Sequence, residues 1–148
     1  MGNSPLPRSR PDFIIAVLAA AIALGLSLPF RTTAASNSIT FTKAQQTAGG
    51  AAFEKTCSPC HGAQLEGGAG PPLTGHNFKI LSTKVGATVS DIFTYMSTNM
   101  PMNNPASLSH TQYVAIMAFI LSKNGYHAGG APLTFAAASA SKAKPIKE

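Results

Sequence analysis

Cys57-Ser58-Pro59-Cys60-His61 decides the reading of this chain. Two thiols three positions apart suit the two vinyl groups on one edge of a haem, and the next imidazole falls under the iron as an axial ligand. The run therefore reads as a c-type haem attachment site. The sequence holds two cysteines, so both are accounted for. Three other readings compete. A Cys57–Cys60 disulfide or a thioredoxin-type redox pair would leave His61 idle, and no βαβ pattern surrounds the motif. A zinc site would need two more ligands at knuckle spacing, whereas His76, His110 and His127 are scattered along the chain.

On the N-terminal side, Thr42 followed by Gln45 is a capping-box pattern. It predicts a helix running to about Lys55 that delivers Cys57 to the site. Gly49 and Phe53 lie four residues apart and share a face. A mid-helix glycine costs stability, which makes sense where a second helix crosses closely; an ordinary weak helix is the alternative. Further upstream, residues 1–35 read as a secretory leader. Arg8 and Arg10 precede an apolar run over 13–28, Pro29 breaks it, and Thr33-Ala34-Ala35 offers small residues for cleavage. The competing reading is a retained membrane anchor over residues 13–30. Either form places the remainder outside the cytoplasm, and the leader points to the periplasm. Residues 36–41 read as a flexible lead-in to a domain over 42–127.

On the C-terminal side, Gly62–Lys84 is rich in glycine and proline and reads as a packed Ω-type loop. Thr88 and Asp91 open a short helix over Val89–Thr98 with an apolar face of Ile92, Phe93 and Met96. Ser109 and Gln112 open the last predicted helix, and Asn124-Gly125 ends it. Tyr113, Ile116, Met117 and Ile120 recur at helical spacing, and Ala118, Phe119 and Leu121 widen the stripe, so this helix should be largely buried. Residues 128–148 are rich in Ala, Ser, Gly and Lys and read as a flexible tail.

The formal charge is +6. The leader, with three arginines and Asp12, accounts for +2 of it, leaving +4 on 36–148. The cations there are all lysines, which tells against nucleic acid, whose recognition leans on arginine forks. A lysine excess fits docking on an acidic protein surface; solvated lysines are the plainer alternative.

Together these stretches resemble the class I c-type cytochromes over roughly Lys43 to Leu133. The residues that carry the resemblance are Gly49 and Phe53 before the Cys57–His61 motif, Gly70-Pro71-Pro72-Leu73, Asn99-Met100-Pro101, and Leu108-Ser109 followed by Tyr113 and Ala118-Phe119-Ile120-Leu121. The resemblance implies an all-α fold, about three helices around one covalently attached haem, with the first and last helices crossing at a glycine–aromatic contact. It also implies that Pro71 offers its carbonyl to His61, that Leu73 packs on the haem, and that a methionine before a proline, here Met100, is the distal ligand. Met102 is the rival ligand, and bis-histidine ligation by His76, His110 or His127 is a further alternative. Met96 and Met117 go to the core. Asn124 to Gly129 is similar to the small cytochromes found with quinoprotein alcohol dehydrogenases.

The expectation is an electron carrier rather than an enzyme: no catalytic residue, haem c held by Cys57 and Cys60, and iron held by His61 and Met100. Its partners would be redox proteins, such as a quinoprotein dehydrogenase or a terminal oxidase, with membrane contact only if the leader is retained. The alternatives are a haem-bearing subunit of such a complex, or a haem enzyme or gas-binding module with a labile sixth ligand.

Overall fold

The computed structural model describes residues 38–147. The expected leader lies outside them, as does Glu148. The described residues form six helices and no strands: α1 Lys43–Thr56, α2 Ser58–His61, α3 Gly75–Thr83, α4 Val89–Asn99, α5 His110–Lys123 and α6 Phe135–Ala140. The all-α expectation holds. None of these helices is long and apolar enough to cross a membrane.

Three helices start on complete capping boxes. Thr42 accepts from the Gln45 amide while Gln45 accepts from the Thr42 amide, and Thr88/Asp91 and Ser109/Gln112 repeat the arrangement. Each box satisfies two amides that an open helix end leaves unpaired. α1 and α5 form the main helix pair. They cross at Gly49, where a Cβ would collide with the Ala115 carbonyl. Only a glycine lets the two backbones approach this closely. Beside the crossing, the Phe53 and Phe119 rings lie 5.3 Å apart. Eight residues of α5 are buried, including Tyr113 through Ala118 without a break, so its apolar stripe extends nearly all round. α4 adds Val89, Phe93 and Met96 to the same core.

Two expectations are corrected. Residues 62–84 are not loop throughout, because the last part folds as α3. Phe78 and Ser82, four residues apart, are its buried positions, and this spacing supports a helix once the prolines have passed.

The stretch from 128 is not a flexible tail but a strap folded onto the domain. Gly129 donates its amide to the Phe41 carbonyl at 2.8 Å. Gln45 takes the Leu133 amide at 2.9 Å and returns a bond to the Leu133 carbonyl at 2.7 Å. Phe135 at the start of α6 stacks on His110 at 3.8 Å and meets Phe93 edge-on at 4.9 Å. The strap then closes the open end of α4, where the Val89 and Ser90 amides donate to the Ala143 and Ser141 carbonyls. Composition alone suggested disorder, but small residues can bury where their backbone finds orphan helix donors.

Candidate haem site

α1 ends at Cys57, whose amide still bonds back to the Phe53 carbonyl at 2.7 Å. The chain turns at once into the single turn of α2. Both the Cys60 and His61 amides converge on the Cys57 carbonyl, at 3.1 and 2.9 Å. One turn of backbone therefore presents two thiols and an imidazole together. Both cysteines are free, Cys57 half-buried and Cys60 exposed. Burial, and secondarily the neighbouring Cys60, push the Cys57 thiol up to about 11. A thiol held protonated at neutral pH is the opposite of the activated thiolate that a redox pair needs. No cluster of three metal-ligating side chains gathers among the described residues, so the zinc reading finds no support there.

His61 Nδ1 lies 2.7 Å from the Pro71 carbonyl. A carbonyl only accepts, so Nδ1 must carry the proton, and Nε2 is left with the lone pair that ligates a metal. Such a partner fixes the ring and raises its basicity. The loop that carries Pro71 is tied back onto the motif. Gly67 donates to the His61 carbonyl at 2.8 Å, Gly70 to Cys60 at 2.8 Å, and Leu73 to the buried Leu65 at 2.8 Å. Gly70 lies flat against the imidazole, where a Cβ would come within 3.0–3.3 Å of three ring atoms. A larger residue would push the ring out of place. Leu73 is half-buried against the core, and its carbonyl accepts from Asn124 Nδ2 at 2.9 Å.

Met100 caps α4 at its C-terminus and is also half-buried. Met102 is 78% exposed, while Met96 and Met117 are buried in the core. Of the two rivals, Met100 is the one beside apolar packing. Its carbonyl accepts a 2.6 Å hydrogen bond from the Tyr113 hydroxyl, and that hydroxyl oxygen in turn accepts from the Leu108 amide at 3.4 Å. Tyr113 thus ties both ends of the Met100–Leu108 loop to α5. His76, His110 and His127 are exposed, and His110 is occupied by its stack on Phe135.

The donor set fits a haem. Two unpaired thiols and an oriented imidazole share one turn, and a thioether sulfur stands at the end of α4. Cys57, Leu73, Met100 and Leu108 each keep part of their surface outside the core, which suits contact with a flat apolar ring. Tyr113 and Asn124 were not foreseen in this role. Tyr113 read as part of a core stripe and of the resemblance, with no hydrogen-bond partner named, though a buried tyrosine hydroxyl commonly finds one. Asn124 read as a helix stop and as the start of the 124–129 likeness, not as a partner of Leu73.

The protein-family model described as cytochrome c oxidase, cbb3-type, subunit III matches residues 44–120. That span includes the Cys57–His61 motif, Pro71, Leu73, Met100 and Tyr113, and stops before the strap. No curated protein and no solved structure matches the chain.

Proposed function

The chain belongs to the cytochrome c family described as cytochrome c oxidase, cbb3-type, subunit III, and we propose that it is a monohaem carrier of single electrons. A cytochrome c domain holds covalent haem c and transfers electrons between redox partners. When bound, the haem supplies one-electron Fe(III)/Fe(II) chemistry. In our reading Cys57 and Cys60 would tether it by thioethers, and His61 Nε2 and the Met100 sulfur would hold its iron. Pro71 fixes the His61 ring, and Leu73 with its apolar neighbours excludes water. Two protein ligands leave no open position for substrate, which favours transfer over catalysis, so no catalytic residue is assigned.

The observation that carries this reading is His61 held with Nε2 free, in the same turn as two unpaired cysteines. The test is absorption and redox titration of the holoprotein. The wild type should show the weak far-red band of thioether-ligated ferric haem. Met100→Ala should abolish the band, lower the potential and admit carbon monoxide, while Met102→Ala should change none of these. A wild type that lacks the band and binds carbon monoxide readily would instead support an enzyme or gas-binding module.

The leader reading places the carrier in the periplasm, which fractionation would check. A second reading, permanent residence in an oxidase complex, is favoured by the description of the family model. Co-purification would separate it from a free carrier. The likeness to cytochromes of quinoprotein dehydrogenases rests on 124–129, beyond the matched span, and weighs less.

A further inference from the structure

Residues 141–147 read Ser-Lys-Ala-Lys-Pro-Ile-Lys. Ser141, Ala143 and Pro145 are buried, while Lys142, Lys144 and Lys147 are exposed. Alternation of this kind belongs to extended chain, whose successive side chains point to opposite sides. The small residues seat the strap on α4 and the lysines turn outward. Its last described residue, Lys147, is pinned by its amide to the Asn124 carbonyl at 2.9 Å.

These three lysines and Lys79 of α3 line a cleft of about 590 Å³, with Tyr126 and Ile146 also in its wall. Half of the eight lysines in the described residues thus gather at one place. Lys144 Nζ reaches the Ser82 carbonyl at 3.2 Å, and the Lys147 ammonium stands 5.9 Å from the centre of the Tyr126 ring. Neither partner neutralises charge. No carboxylate lines the cleft among the described residues. Asp91 is near enough to feel Lys142, but Thr88 already holds it in the α4 capping box. Glu148 follows Lys147 outside the described residues, and counting its side chain still leaves the cluster positive by three.

We propose that the strap builds a basic docking cleft for a carboxylate-rich segment of a redox partner protein. The proposal rests on the electron-carrier reading for the identity of the partner, though not for the binding itself. Three features favour an acidic protein segment. Without an arginine fork, the cleft presents separate, hydrated point charges, which suit several spaced carboxylates better than one phosphate group. The cleft is a depression, which suits a protruding chain segment better than a flat bilayer. Screened lysine charges also give fast, reversible encounter, as a carrier that turns over between partners requires. Lys142, Lys144 and Lys147 lie beyond the family match at 44–120, and Lys79 lies within it.

The test uses the holoprotein and a decaglutamate peptide as probe, with binding followed by NMR and a redox titration on the same samples. Saturable binding at the cleft should weaken as salt shortens the Debye length from about 10 Å at 0.1 M to about 3 Å at 1 M. The variant Lys147→Glu should weaken it about threefold or more, while Lys43→Glu on α1, an equal change in charge, should change it less than about 1.5-fold. Both variants should keep the wild-type potential. Equal loss in the two variants would reduce the effect to net charge and overturn the proposal. So would a lack of saturable peptide binding, or binding of pyrophosphate or anionic vesicles in its place. A failed redox titration with intact peptide binding would count against the carrier reading alone.

Discussion

The two sides of the haem site are held by different means. On the His61 side, residues 57–73 are bound to one another. The converging amides of Cys60 and His61, the Gly67 and Gly70 ties, and the Pro71 carbonyl all lie within this short stretch. On the Met100 side, the loop that carries the proposed ligand has turn bonds of its own but is fixed to the domain through the hydroxyl of Tyr113, which belongs to another helix. The first side is built by local chain and needs little from the rest of the fold. The second depends on α5 being where it is, and hence on the α1–α5 crossing. Stress on the domain should therefore release Met100 before it disturbs His61.

The largest effect expected is at the local side. Replacing both Cys57 and Cys60 by alanine should leave no pigment on the polypeptide after acid–acetone extraction. Pigment that stayed attached would remove the covalent premise of the comparison.

Next in size is Gly49→Val. The new side chain meets the Ala115 carbonyl and must spread α1 from α5, at a cost of about 3 kcal/mol. Thermal denaturation should show the loss. The far-red band should fade well below the temperature at which the fold melts, since Tyr113 moves with α5 while the thioethers stay. Loss of both together would show that the two sides are not separable.

Tyr113→Phe sharpens the point with a single atom. It leaves the Met100 carbonyl and Leu108 amide without their partner, costing about 1–2 kcal/mol. The band should persist at room temperature but disappear at a lower temperature than in the wild type. Resistance of its loop to carbon monoxide should fall, while the His61 proton signals remain unshifted. An unchanged band profile would mean that the Met100 loop holds itself.

The smallest effect concerns the start of α4. Hydrogen bonds from the Thr88 side chain and backbone, with help from Lys142, hold the Asp91 carboxyl below its usual pKa. A folded-state pKa below the unfolded one stabilises at pH above the unfolded value and loses that stabilisation as pH falls through the folded one. Asp91→Asn should thus flatten the acid limb of a stability-versus-pH curve slightly and leave the neutral-pH spectrum alone. A change in the spectrum would tie the α4 cap to Met100 more tightly than this structure suggests.

Much of the molecule is legible along the chain because its determinants are local. Thr42 with Gln45, Thr88 with Asp91 and Ser109 with Gln112 announce helix starts three residues ahead, and Cys57, Cys60 and His61 need only one turn to come together. Met100 stands out over Met102 through the resemblance, which puts the ligand before a proline, and Met102 is exposed within the turn that Asn104 closes on Pro101. The strap was not legible. Its residues carry too little apolar surface to declare a core, and their partners lie far away in sequence: Gln45 from Leu133, Val89 from Ala143, Ser82 from Lys144. The same holds for α3, hidden behind a run of glycine and proline.

By itself, then, the sequence determined the haem-binding motif and the three capped helices, because each is set by neighbours within a turn or two, while the resemblance pointed to the crossing at Gly49. Only the tertiary structure decided that Tyr113 holds the Met100 loop, that Asn124 holds Leu73, and that Lys79 shares one cleft with the three lysines of the strap. Those arrangements depend on which carbonyls and amides are left unpaired when helices pack, and that is a property of the assembled fold.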